Sequence, residues 1–395
     1  MKIIALTGPH NCGKTTTIIS VYDIIIRFGG VSTAKGKEGL DPRDFSDIVI
    51  WRGLNIAFLS MGDLSRRISS RINHFNNAGC DIFITACNDR LATAQRNINN
   101  YRDKHIVNKT HEPDCAKRAA ADQEAVFKIL RALKMDVCYF ASLFAENTYV
   151  YLSRVFKHRL GIAETGITDV FAFELADLCR RTGNTSVRMY AKTWPVESVY
   201  GNDIDLFMQR PDGLYNLFVL QAKKMSFNGA YKDLKLEAAP NQWDKLLTHE
   251  TLYGSKAFYL FYNGESVIAP ITTNPVRADC LGVPKLQELG LGIVEAATVK
   301  QVREVTHATG AIYMSYLFPD HMDSVRKLIC CGDTLYTGLQ GYSHNQIYTG
   351  APYRPVQVAN NAQQGQDEDE GQDVVPEDHN DMARFRIIIS ASHEE

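Results

Sequence analysis

Hydrophobic and polar positions along the 395-residue chain change their period in a way that divides it into three stretches. In the first, short apolar runs at 3–7, 47–51, 55–60, 81–86 and 105–108 predict strands, those at 47–51 and 55–60 being joined near Arg52-Gly53. Between them, 16–28, 64–77 and 116–133 carry apolar residues at helical spacing, and Gly29-Gly30 supplies a stop for the first of these. The second stretch opens with an aromatic segment, 137–159 (Tyr139, Phe140, Phe144, Tyr149, Tyr151, Phe156), which predicts a helix whose rings are core. A helix over 161–179, ended by Gly183-Asn184, and a strand over 186–191 follow. Gly201-Asn202-Asp203-Ile204-Asp205-Leu206 and Val219-Leu220-Gln221-Ala222-Lys223-Lys224 read as two strands joined by a turn at Pro211-Asp212-Gly213. A helix over 239–248 and a buried strand over 257–262 complete the stretch. In the third, 281–294 and 312–317 read as ordered, 358–381 is acidic, Gln-rich and compositionally disordered, and 384–389 reads as a returning edge strand.

Candidate chemistry enters at two places. The first strand runs into Gly8-Pro9-His10-Asn11-Cys12-Gly13-Lys14-Thr15-Thr16, a complete G-x-x-x-x-G-K-T followed by a helix. Glycines let backbone N–H groups wrap a polyphosphate, Lys14 would neutralise β/γ-phosphate charge, Thr15 would ligate Mg²⁺, and the helix presents its positive end. Gly8, Asn11, Gly13, Lys14, Thr15 and Thr16 are therefore the candidate nucleotide-binding residues, with His10 and Cys12 as spacers. Residues 1–130 resemble the P-loop NTPase superfamily. That resemblance implies an acid at the end of a later strand for the Mg²⁺-water shell: Asp63 is the first candidate and Asp89 its rival, either of which could instead cap the next helix. Arg66, Arg67, Arg90 and Arg96 are candidate charge-stabilising groups that also suit a solvated surface. No N-K-x-D-like guanine signature is evident, so the expected nucleotide is ATP, with GTP not excluded.

The second place is the hairpin. Period-two alternation puts Asp203 and Asp205 on one strand face, and Gln221 and Lys223 on one face of the next, with Lys224 pointing outward. The order helix–strand–strand–strand–helix–strand over about 140–265 resembles the restriction-endonuclease-like PD-(D/E)xK superfamily, in its Q-x-K variant. That resemblance implies Glu164 as the helix acid (with Glu174 as alternate), Asp203 or Asp205 as the metal-bridging aspartate, Gln221 as second metal ligand through its amide oxygen, and Lys223 as the group that polarises the attacking water. Gln242 supports the pattern, and Glu197 is read as a solvated strand-edge acid rather than a site acid. Mg²⁺ would neutralise transition-state charge and lower the pKa of its water, and an ammonium adds to this. Glutamine in place of glutamate removes one negative charge from the metal site.

Bulk properties modify this picture little. A net charge of −2 gives no global field for nucleic acid, so any basic groove would be local. Nine cysteines without a C-x-x-C pair predict reduced thiols, with Cys330-Cys331 as buried packing. No apolar run approaches a membrane span or a signal peptide, which predicts a cytoplasmic protein without membrane contact. The expected fold class is α/β: a P-loop NTPase-like parallel-sheet domain at 1–134, then a restriction-endonuclease-like α/β domain at 135–350, an acidic segment at 358–381 and a returning strand within 382–395. The expected function is a nucleotide-regulated, Mg²⁺-dependent nuclease acting on nucleic acid, DNA before RNA, in defence against foreign DNA. Its partners are a nucleoside triphosphate and nucleic acid, and a homo-oligomer is compatible with the sequence. The competing expectations are a nucleotide-dependent binding protein with a non-catalytic nuclease-like domain, or a P-loop kinase.

Overall fold

In a computed structural model the chain forms two compact units, residues 1–136 and 137–395. The structure describes residues 1–33, 35–38, 41–192, 198–231, 234, 241–265, 283–308, 310, 314–315, 322–336, 338–347, 349–350, 353–356 and 383–390. Its described part is mixed α/β, with nine α-helices and two mixed sheets.

The first unit contains β1 (Lys2–Gly8), α1 (Lys14–Arg27), β2 (Val31–Ser32), β3 (Gly36–Lys37), β4 (Phe45–Trp51), β5 (Leu54–Leu59), α2 (Ser65–Asn77), β6 (Ile82–Asn88), α3 (Ala92–Asn99), β7 (Lys104–Asn108) and α4 (Cys115–Ala132). Its sheet runs β2-β4-β5-β6-β1-β7, with β3 also on β4. Strands β5, β6, β1 and β7 are parallel. The β4–β5 edge is antiparallel, which corrects the expectation of a parallel sheet. The reason is local: Arg52 and Gly53 both take positive φ (50° and 76°), and a two-residue link of this kind can only reverse the chain. On one side of the sheet, Ile68, Ile72 and Phe75 of α2, at helical spacing, pack on Ala57, Leu59, Phe83 and Cys87. Helix α1 stops where Gly29 turns to φ 85° and the Gly30 N–H returns to Ile25 O.

The second unit contains α5 (Asp136–Lys157), α6 (Glu164–Thr182), β8 (Val187–Lys192), β9 (Ile204–Gln209), β10 (Tyr215–Lys224), β11 (Ala230–Tyr231), α7 (Gln242–Tyr253), β12 (Lys256–Tyr262), β13 (Leu291–Glu295), α8 (Ala296–Ala308), β14 (Met314–Ser315), β15 (Asp323–Ser324), α9 (Val325–Leu335), β16 (Tyr353–Pro355) and β17 (Phe385–Ile389). Eight strands form one sheet in the order β15-β13-β12-β10-β9-β17-β8-β16. Two corrections follow. The C-terminal strand β17 is not at an edge: it lies between β8, to which it is antiparallel, and β9, to which it is parallel. Its Phe385, Ile387 and Ile388 are buried, as a strand covered on both faces requires. Strands β8 and β9, adjacent in the chain, are consequently not paired.

The thiol expectation is also corrected, since Cys138 of α5 and Cys330 of α9 form a disulfide with Cα atoms 5.7 Å apart. Sequence spacing gives no sign of a bridge between residues so far apart. The acidic run 358–381 and Glu197 lie outside the described residues. Among the described residues no helix is long and apolar enough to cross a membrane.

Candidate functional sites

In the first unit, β1 ends at Gly8 and α1 begins at Lys14, so the loop between them lies at the C-terminal end of the parallel strands. Two residues inside it take left-handed backbone, Asn11 (φ 60°) and Gly13 (φ 86°). Asparagine is among the few side chains that tolerate this region, which accounts for its place in the loop. The Lys14 side chain is buried, and its Nζ donates to Gly8 O (3.0 Å) and Pro9 O (2.6 Å), so the loop folds around the ammonium. Thr15 Oγ1 donates to Ser60 O (3.3 Å) just beyond β5, while Thr16 is exposed.

Both candidate acids stand near this loop. Asp63 Oδ2 is 3.7 Å from His10 Nε2, and Asp63 Oδ1 accepts from Asn88 Nδ2 at 3.3 Å. His10 therefore faces an acid rather than serving only as spacer. Asp89 follows β6, the immediate neighbour of β1, and its N–H donates to Gly8 O (3.1 Å). Asp44 joins the same side: burial raises its pKa, with Asp41 and Asp63 adding to the effect. Arg67 is committed elsewhere, to buried Glu38 at 2.6 Å.

Sequence reading missed Lys109, just after β7. Its buried Nζ donates to Gly13 O (3.1 Å), Thr17 Oγ1 (2.8 Å) and Asp122, fixing the loop to α1 and α4. Only the tertiary fold brings 109 to 13, so no local signal marked it.

In the second unit the β9–β10 register pairs Asp205 with Val219 and Leu220 with Ile204, which sets Asp203 opposite Gln221 at the mouth of the hairpin. Asp203 Oδ2 accepts from Gln221 Nε2 and from the Ala222 N–H, both at 2.7 Å. Glu164, the first residue of α6, arrives from the other side: its Oε2 accepts from the Lys224 N–H (2.7 Å), and its Oε1 is 3.8 Å from Lys223 Nζ. Lys223 and Gln221 are buried. Lys224, expected to point outward, has its Nζ held by Ile162 O at 2.6 Å rather than by solvent alone. Glu174 is exposed on α6 and does not join the group.

Burial drives the Tyr262 pKa well above its ordinary value. Thr168 opposes this by a hydrogen bond, while nearby Asp203, Glu164 and Asp169 reinforce it.

Asp205 behaves differently from Asp203. Its carboxylate, 3% exposed as a residue, accepts from Arg386 Nη2 and Asn202 Nδ2, each at 2.7 Å. Arg386 belongs to β17, where it stands in register with Asp205. Neither Arg386 nor Asn202 was among the residues expected from sequence; an arginine inside an otherwise apolar strand is the signal that could have found the first.

Among the described residues no three His, Cys, Asp or Glu side chains are grouped to hold a metal ion. The set at the hairpin mouth is of another kind, two carboxylates and an amide. Gln221 Oε1 is buried and lacks a hydrogen-bond partner. It faces Gly201 (φ 73°), whose missing Cβ would stand 3.1 Å from Gln221 Oε1 and 3.4 Å from Gln242 Nε2, at the start of α7. An acceptor oxygen without a donor, beside a carboxylate, fits a hard divalent cation.

No curated protein and no solved structure matches the chain. One sequence family does, over residues 137–392, which takes in the hairpin, α6, α7 and the C-terminal strand. As that match spans well over half of its length, the chain belongs to the family described as "Family of unknown function (DUF6615)".

Proposed function

We propose that the chain is a Mg²⁺-dependent nuclease whose cutting site lies in the second unit and whose first unit binds a nucleoside triphosphate. The observation that carries the reading is the convergence of Asp203, Gln221, Glu164 and Lys223 on one hairpin mouth, with Gln221 Oε1 buried and without a donor. Asp203 and Gln221 Oε1 would hold the cation, which supplies charge neutralisation and an activated water. Lys223 holds positive charge beside Glu164, where a phosphoryl oxygen would gain negative charge. Glu164, itself held by the Lys224 N–H, faces the ammonium, and the buried setting of Lys223 strengthens this interaction. The nucleic-acid substrate, with DNA preferred, and a role in defence extend this reading by resemblance alone.

In the first unit, the loop folded around Lys14, Asn11 and Gly13 in left-handed backbone, and the start of α1 support nucleotide binding. Replacing Lys14 by alanine is expected to weaken ATP binding by about two orders of magnitude, since charge-assisted contacts to phosphate are among the stronger polar interactions. Calorimetry on the full chain, with GTP beside ATP, measures this. An unchanged affinity would remove the loop from the site.

The cutting activity is tested by incubating the full chain with DNA and RNA, with and without ATP and Mg²⁺, beside the D203N variant. Cleavage that needs Mg²⁺ and Asp203 is the expected result. Products formed equally by the variant, or none from any substrate, would sink the nuclease reading.

A further inference from the structure

The two aspartates of the hairpin share a strand face by period, yet their partners separate them completely. Asp203 faces Gln221 and the Ala222 N–H. Asp205 is enclosed by Arg386, by Asn202 and, through Asn202, by Ser198 Oγ at 2.5 Å. The Arg386 guanidinium also lies over the rings of Phe207 (5.3 Å) and Tyr353 (4.6 Å), so its direction is set by two strands and their side chains. Both members of the ion pair are nearly out of water, with side-chain exposures of 9% and 5%. A pair so buried is hard to open, because either charge alone would be stranded in a low-dielectric region.

Resting on the nuclease reading, we propose that Arg386 is a positioning residue that withholds Asp205 from the metal and so keeps the site at the affinity of a single aspartate. Divalent-cation affinity rises with the number of ligand charges. At the hairpin mouth one carboxylate, Asp203, stands beside a neutral amide, with a second carboxylate, Glu164, already facing Lys223. Asp205, two residues further on and inside β9, is a further carboxylate beside the mouth, and Arg386 cancels its charge. The C-terminal strand thus determines the charge of a site to which it contributes no ligand.

The test follows Mn²⁺ binding to the full chain, without nucleotide or nucleic acid, by the electron paramagnetic resonance of the free ion. D203N supplies the background. The D205N variant is expected to bind Mn²⁺ within about twofold of the unaltered protein, whereas D203N loses at least about tenfold. R386Q is expected to bind about tenfold more tightly, because Asp205 is released toward the cation. R386K and the double variant D205N/R386Q are expected to return to the unaltered value, which a merely structural role for Arg386 would not require. If R386Q fails to fold, the comparison of D205N with D203N still decides: equal loss in both makes Asp205 a ligand and overturns the proposal. A folded R386Q with unchanged Mn²⁺ affinity overturns it too. Absence of any Mn²⁺ binding by the unaltered protein is a separate outcome, which sinks the metal reading itself.

Discussion

Replacing Lys223 by alanine is expected to lower the proposed Mg²⁺-dependent cleavage by about two to three orders of magnitude, the scale on which removal of one preorganised charge-stabilising group is felt. The effect should be large because the ammonium is held in a dry position. Lys223 is 7% exposed, and its Nζ lies 3.8 Å from a carboxylate that is itself fixed by the Lys224 N–H. Water cannot substitute for a charge at such a place, as it could at the surface. Nucleotide affinity in the same variant should stay unchanged, because residues 1–136 form a compact unit of their own. Single-turnover cleavage and ATP calorimetry on one preparation check both halves. Cleavage retained within about tenfold would mean that Lys223 stabilises structure rather than the reaction.

The Gly8→Ala variant is expected to lose both the proposed nucleotide binding and much of the stability of the first unit. A Cβ at Gly8 would fall inside contact distance of the Lys109 carbonyl oxygen and 2.9 Å from Cys12 Sγ. The carbonyl cannot yield cheaply, since the Lys109 N–H is bonded to Thr7 O (2.8 Å) and the Lys109 side chain grips Gly13 O from the other end. A clash with paired backbone of this kind costs on the order of 1–3 kcal/mol or more. Thermal unfolding of the first-unit transition, read beside ATP titration, measures the two losses. In contrast, Gly29, around which no atom lies within 4 Å of a built Cβ, should tolerate alanine apart from the penalty of its positive φ.

Local elements were legible where the chemistry is local. The strand expected at 105–108 is found at Lys104–Asn108, and the helix expected at 116–133 at Cys115–Ala132, because period and end signals lie within the segments themselves. The hairpin was legible for the same reason: a Pro-Asp-Gly turn fixes the register that sets Asp203 opposite Gln221. What could not be read was any relation between distant segments. The apolar run near the C-terminus announced a strand but not its place between β8 and β9, so the ion pair of Arg386 with Asp205 was hidden, and the two aspartates looked equivalent. The bridge between Cys138 and Cys330 and the reach of Lys109 to Gly13 were hidden likewise, since neither leaves a periodic trace.

The interior position of β17 has a kinetic consequence. Ile389 pairs with Val187 on one side and Met208 on the other, so among the described residues the two halves of the sheet are joined through β17. Contacts so remote in sequence form slowly, because their loop-closure entropy must be met before any pairing rewards it. During synthesis, at roughly 5–20 residues per second, the hairpin is complete long before residues 385–389 leave the ribosome. A nascent chain that has emerged through the hairpin but not yet through residue 386 therefore carries Asp205 without its buried arginine partner. Refolding should accordingly show a slow final phase that R386Q alters and Lys223→Ala does not.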